Sequence, residues 1–180
     1  MEAQHKHKRS KKTSSTMTTK GFPRNYVVHD YVDHGAIFPS RKEEEQASPP
    51  STVPFPVRLH RVLEHADNPI DGRETYAHIM SWQPHGRCFV VHQPQEFIAQ
   101  IMPRFFPHIT KLASFQRQLN LYGFQRITHG IDRRAYYHER FLRGKEFLAH
   151  GVTRTKVKGT RVKACTNPAQ EPNFYDMVRV

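Results

Sequence analysis

The chain has 180 residues, a mass of 21.1 kDa, a net charge of +12 and a pI near 10. This length favours one domain with flanking segments, and the positive charge favours a polyanionic partner: nucleic acid or, with less support, an anionic membrane surface. Two cysteines are too few for a disulfide framework, and no apolar run approaches the roughly 20 residues of a membrane span.

Residues 1–53 are predicted to be a disordered basic and polar tail with a linker, because they are rich in Lys, Ser, Thr, Glu and Pro and lack periodicity. Their start has no apolar stretch of the kind found in secretory signals. The basic run at residues 6–12 fits either a nuclear-import signal or a solvated tail. Residues 43–52 are typical of a linker.

A folded domain is expected over residues 54–150. Its first helix is predicted at residues 56–66, and two strands follow at residues 78–82 and 88–92, joined by a turn that contains Pro and Gly. A second helix opens at Pro94.

The second helix is expected to be kinked or ended by Pro103, which has no N–H to donate. A third helix begins at Leu112 and stops at Gly123. Two further strands, at residues 124–128 and 134–138, precede a short helix near residues 143–149.

This order of elements predicts an α+β fold, a winged helix-turn-helix in which a three-helix bundle is capped by a small antiparallel sheet. Residues 151–180 are predicted to form a basic, mostly irregular C-terminal tail.

The third helix has two unlike faces. The helical period places Leu112, Phe115, Leu119 and Tyr122 on one face and Ala113, Gln116, Arg117 and Asn120 on the other. The first face is suited to a core. The second carries no carboxylate, which is unusual because exposed helix faces are commonly rich in Glu and Lys.

The polar face of this helix fits a reader of DNA bases. A helix enters the major groove of B-DNA, where an arginine pairs bidentately with guanine O6 and N7. Arg117 is the only cation on that face, and Gln116 and Asn120 are placed to reach adjacent base edges. On charge alone, Arg117 fits an ordinary surface arginine equally well.

Phosphate contacts are expected around the helix. Ser114, near the helix start, fits either a phosphate contact or a helix N-cap. Residues 104–145 hold nine Lys or Arg against two Asp or Glu. Flanking phosphates are expected to be neutralised by basic residues of this segment: Arg104, Lys111, Arg126, Arg133 and Arg134.

Several motifs resemble the heat shock factor family of DNA-binding domains. SFQRQLNLYGFQR resembles its recognition helix, FLRG the motif that closes the domain, and MSW, GRCFVVH and EFIAQIMPRFF its first hairpin and second helix. The resemblance covers about residues 54–148. It implies a winged helix-turn-helix that reads nGAAn units, with Arg117 on guanine, Asn120 close to the bases, and Ser114 and Tyr122 at the DNA backbone.

The sequence departs from the family pattern in three places. The turn before the recognition helix, PHITKLAS, is about one residue longer, and the wing, THGIDRR, is short. Residues 151–180 lack the heptads of the trimerisation region that family members usually carry. The expected partner is double-stranded DNA. Assembly with other proteins of this type stays open, as does a lone module that competes with or docks on full-length factors without activating.

Other functions are less well supported. The 13 histidines include no HExxH motif, there is no CxxC, and Cys88 reads as a buried strand cysteine, so we expect no enzyme, metal or cofactor. Duplex RNA is disfavoured because its deep, narrow major groove excludes a helix. Binding without sequence preference predicts that Arg117 matters no more than Arg133. The expected function is nuclear, sequence-specific DNA binding by a transcription regulator.

Overall fold

The structure is a computed structural model that describes residues 26–39, 53–67, 75–155 and 165–180. The basic run at residues 6–12 and the linker at residues 43–52 lie outside the described residues. None of the helices in the described ranges has both the length and the apolar character needed to cross a membrane.

Three helices form a bundle. Helix α1 is Phe55–Asp67, and α3 is Leu112–Leu121. Between them, α2 passes through three consecutive segments: Pro94–Glu96, a π-helical turn at Phe97–Ile101, and Met102–Phe105. A short helix, α4 (Glu146–His150), packs against α1. Both α1 and α3 agree with their predicted positions to within about one residue.

Helix α2 continues past Pro103 to Phe105, although the proline was expected to kink or end it. The N–H of Met102 donates to the carbonyl of Phe97, five residues back instead of the usual four. A proline ring clashes with the carbonyl four residues before it in a regular helix. The wider turn just ahead of Pro103 relieves that clash.

The sheet has four antiparallel strands: β1 (Met80–Trp82), β2 (Cys88–Val91), β3 (Gln125–Arg126) and β4 (Tyr136–Tyr137). Their order is β1-β2-β4-β3. Strands β3 and β4, with residues 127–135 between them, form the wing. The helices and this sheet make up the predicted α+β fold, a three-helix bundle capped by a small antiparallel sheet.

The two sides of the sheet pack against different parts of the chain. Phe89 and Tyr136 face the helices, whereas Cys88 and Tyr137 face the opposite side, because neighbouring residues of a strand point to opposite faces. The main core lies between the helices and the sheet. It includes Val57, Leu59, Leu63, Trp82, Phe89, Phe97, Met102, Phe106, Phe115, Leu119 and Phe141.

The outer side of the sheet is covered by residues 26–39 and 165–180, which the sequence placed in the tails. Phe174 is fully buried there, and its ring lies 5.0 Å from that of Tyr31. The two segments meet where the N–H of Val27 donates to the carbonyl of Cys165. Covering this side removes the outward apolar side chains of β2 and β4 from water.

Candidate nucleic-acid interface

Helix α3 is anchored by one aromatic side chain. Phe115 is buried, and its ring lies 4.8 Å from that of Phe97, 5.4 Å from that of Phe106 and 5.7 Å from that of Phe55. Leu119, one turn later, is fully buried. These contacts fix the rotation of α3 about its own axis and so determine which side chains it presents to solvent.

The polar face of α3 is open, as predicted. Arg117 and Asn120 are exposed, and Gln116 is half-buried. Their side chains form no hydrogen bond or ion pair with any residue that the structure describes. The planar guanidinium of Arg117 therefore keeps its donors available for a bidentate acceptor.

Ser114 does not have the geometry expected of an N-cap. The cap of α3 is Lys111, and Ser114 is the third helical residue. Its backbone N–H is not free for a phosphate, because it donates to the carbonyl of Lys111 at 2.9 Å. The N-cap expectation was wrong, because the helix begins at Leu112, as predicted, and Ser114 therefore lies inside its first turn. The Ser114 side chain is nevertheless exposed, beside the exposed Lys111.

Tyr122 follows the last turn of α3, where Gly123, with φ of 78°, reverses the chain. The Tyr122 ring is half-buried and stacks on Phe55, with the centroids 5.5 Å apart and the planes at 21°. The ring packs against the core, while its hydroxyl has no hydrogen-bond partner among the described residues.

The predicted basic residues of the wing are all exposed. The guanidinium of Arg126 lies 5.8 Å from the ring centroid of Tyr136, at the range of a cation–π contact. Arg133 and Arg134 follow the tip, and Arg134 has a φ of 80°, a conformation that side chains other than glycine rarely adopt. The candidate residues thus divide between α3 and the wing.

Sequence reasoning missed the contacts that hold the wing. The carboxylate of Glu171 accepts hydrogen bonds from the N–H and hydroxyl of Thr128 and, at 3.0 Å, from the N–H of His129. Glu171 lies in an irregular polar segment more than 40 positions away, and no sequence pattern marks it as a partner of the wing.

A second unexpected contact joins the wing to the turn before β2. His85, Cys88 and Asp132 are buried, and one ligand-type atom from each lies within 4.8 Å of the others, the spacing of a candidate metal site. However, Nδ1 of His85 accepts the N–H of Arg87, so Nε2 carries the proton that it donates to Asp132 at 3.1 Å. A histidine that bound a metal through Nε2 would carry its proton on Nδ1 and donate from there. The hydrogen bonds of His85 show the opposite arrangement, which disfavours a metal at this cluster.

The Cys88 thiol in this cluster is buried and free of any disulfide. Burial, and secondarily the charge of Asp132, raises its pKa well above the usual range, which disfavours the thiolate. This agrees with the prediction of a buried strand cysteine. The cluster therefore fits a structural role, in which it holds the wing against the turn before β2.

A buried arginine holds both flanking segments. Arg87, only 2% exposed, forms an ion pair with Asp33 at 2.9 Å and donates to the carbonyl of Val178 at 2.6 Å. One guanidinium thus connects the turn before β2 with residues 26–39 and with residues 165–180. Removal of one partner would leave a buried, unpaired charge and would strongly destabilise the folded protein.

The chain is similar in sequence to proteins of known family. A family model described as HSF-type DNA-binding matches residues 55–155. The chain is 35% identical over 117 residues to Heat stress transcription factor A-3 of Arabidopsis thaliana, over 65% of this chain and 26% of that protein. It is 41% identical over 78 residues to Heat shock factor protein HSF8 of Solanum peruvianum, over 43% of this chain and 14% of that protein.

The chain covers about a quarter or less of the length of these two relatives. Among solved structures, Skn7 of Chaetomium thermophilum with SSRE DNA is similar with a TM-score of 0.48 and 26% identity, over 56% of this chain and 98% of that chain.

Proposed function

Because this chain belongs to the HSF-type DNA-binding family, we propose that it binds double-stranded DNA sequence-specifically, with α3 in the major groove. We propose further that it reads nGAAn-like elements and acts in the nucleus as a transcription regulator of the heat shock factor type. The names of its relatives, which are heat stress transcription factors and a heat shock factor, support this role.

The observation that carries the proposal is the open polar face of α3. Phe115 and Leu119 bury one side of the helix, and the opposite side presents Arg117 with no partner among the described residues. An unpaired arginine on a helix that fits the major groove can donate two hydrogen bonds to guanine. Gln116 and Asn120, on the same face, are proposed to contact neighbouring base edges.

The remaining candidate residues are proposed to contact the DNA backbone. Ser114 and Lys111 lie at the start of α3, and Tyr122 lies at its end. The wing contributes Arg126, Arg133 and Arg134. Contacts to phosphate position the protein and add to the salt dependence of binding, but they carry no sequence information directly.

The test compares two arginine variants that lose the same charge. Arg117→Ala should cost about 1–3 kcal/mol on a duplex with inverted nGAAn repeats and should flatten the preference over a scrambled duplex. Arg133→Ala should weaken binding to both duplexes alike and reduce the salt slope by about one. Fluorescence anisotropy at several salt concentrations measures both. Equal losses on the two duplexes for Arg117→Ala would refute base reading by this residue.

One observation supports a second candidate function. Residues 165–180 pack against the sheet, and this segment therefore does not extend from the domain as a coiled-coil helix. An isolated module that competes with or joins full-length factors, without an activation function of its own, fits this arrangement. Light scattering on the free protein and on the DNA complex distinguishes a monomer from a homo-oligomer, and mixing with a full-length factor tests for a joint complex.

A further inference from the structure

The hairpin of the wing is short. Strands β3 and β4 pair over only two residues each, Gln125 with Tyr137 and Arg126 with Tyr136. Nine residues, 127–135, connect them. Backbone hydrogen bonds from the N–H of Ile127 to the carbonyl of Ala135 and from the N–H of Arg134 to the carbonyl of Ile127 extend the hairpin a little further. A two-stranded hairpin this short is marginally stable in water, so contacts from outside add to the stability of residues 127–135.

Two such contacts bracket the tip of the wing. On the β4 side, Asp132 is drawn inward to His85. On the β3 side, both carboxylate oxygens of Glu171 accept hydrogen bonds: one from the N–H of Thr128, at 2.9 Å, and its hydroxyl, the other from the N–H of His129. These bonds are charge-assisted and are therefore stronger than neutral ones.

Glu171 is itself held in place. Its N–H donates to the carbonyl of Pro168 at 3.2 Å, which closes a short helical turn. Three residues later, Phe174 is fully buried against Tyr31 and Tyr137. The Glu171 carboxylate thus belongs to a segment that is packed against the outer side of the sheet.

We infer that Glu171 is a positioning residue, which holds the wing so that Arg133 and Arg134 meet the DNA backbone while α3 lies in the major groove. The inference rests on the proposed function and assigns residues 165–180 a part in it. Arg133 and Arg134 follow Asp132 directly, so their direction depends on both contacts that bracket the tip.

Glu171→Gln separates this role from bulk and from fold. The amide has nearly the shape of the carboxylate, but it cannot accept hydrogen bonds through both of its terminal atoms. The variant also raises the net charge by one, which by itself favours DNA binding. Asp176→Asn is the matched control, because Asp176 lies in the same segment and is exposed, and its carboxylate accepts a hydrogen bond from the side chain of Asn173 rather than from the wing.

Three readouts on the full chain test the inference. Amide hydrogen exchange of Thr128 and His129 reports the contact in the free protein. The slope of log K against log salt, on the inverted nGAAn duplex and on a scrambled duplex, reports phosphate contacts. The unfolding midpoint reports stability. We expect the amides of Thr128 and His129 to exchange faster in Glu171→Gln than in Asp176→Asn. We also expect the slope of log K against log salt to be less negative by about one in Glu171→Gln, on both duplexes.

Either of two results would overturn the inference. A lower unfolding midpoint with an unchanged salt slope would make Glu171 a purely structural residue. Tighter DNA binding than in Asp176→Asn would mean that the carboxylate competes with a DNA phosphate for the same donors. If the unaltered protein binds cognate and scrambled duplexes equally, the base-reading proposal fails, but the slope on the scrambled duplex still tests Glu171.

Discussion

Replacing Phe174 with alanine tests whether residues 165–180 belong to the cooperative folding unit. The side chain is fully buried, and its ring lies 5.0 Å from that of Tyr31, 5.1 Å from that of His85 and 5.3 Å from that of Tyr137. Truncation of a buried phenylalanine costs about 3–5 kcal/mol. We expect about 3 kcal/mol, the lower end of that range, because an irregular segment can move partly into the gap.

Urea unfolding followed by the fluorescence of Trp82 is the appropriate assay. Trp82 is the only tryptophan of the chain and lies in the main core, on the other side of the sheet from Phe174. A shift of its transition therefore shows that the loss at Phe174 reaches the whole domain. Val178→Ala, in the same segment and 86% exposed, is the control and should change the free energy of unfolding by less than about 0.5 kcal/mol.

An unchanged transition for Phe174→Ala would refute the reasoning. It would show that residues 165–180 cover the sheet without contributing to the stability of the helices beneath it. A second, earlier transition seen by circular dichroism but not by Trp82 would have the same meaning, because the segment would then unfold by itself.

Three further predictions concern single positions. Burial, with smaller contributions from the charges of Arg140 and His34, lowers the pKa of His138 to about 4. Below pH 6.5, the unfolded chain therefore binds a proton at this residue that the folded chain does not. The free energy of unfolding should thus fall by about 1–2 kcal/mol between pH 6.5 and pH 4.5. His138→Asn should reduce this loss in urea unfolding at a series of pH values, and a loss identical to that of the unaltered protein would contradict the assignment. Arg134→Gly should be about 1 kcal/mol more stable to urea than Arg134→Ala, because glycine adopts a φ of 80° without strain, while both should bind DNA equally weakly. Gly123→Ala should cost about 1–2 kcal/mol in thermal unfolding through its φ of 78° alone, because the nearest atoms lie 3.7 Å from the added carbon; no loss would argue against this conformation.

Local periodicity was enough to predict the fold and the two faces of α3. The spacing of Phe115 and Leu119 identified the buried side, which also placed Arg117 and Asn120 in solvent. Such patterns depend on residues within one or two turns of each other, and they survive in the folded chain because the helix is fixed to a core on one side. The role of Arg117 in reading bases remains a prediction.

The contacts that hold the wing and the flanks could not be predicted in this way. Glu171 and Thr128 are separated by 43 positions, and Arg87 and Asp33 by 54. The segments that contribute Glu171 and Asp33 are polar and irregular. Neither hydrophobic periodicity nor composition therefore distinguishes a segment packed against the sheet from a solvated tail. The N-cap role of Ser114 was wrong for a different reason: the cap of α3 is Lys111, and helix ends are set by single hydrogen bonds, which sequence patterns locate only to within a few residues.

Arg87 links the evolution of three separate parts of the chain. Its guanidinium is buried where Asp33 approaches from one flank and the carbonyl of Val178 from the other. A lineage that lost either flank would leave this position exposed to water or with an unpaired buried charge, and selection would then favour an apolar or smaller residue there. Arginine at this position should therefore occur together with both flanks, and it should be replaced wherever a related protein keeps only the region equivalent to residues 55–155.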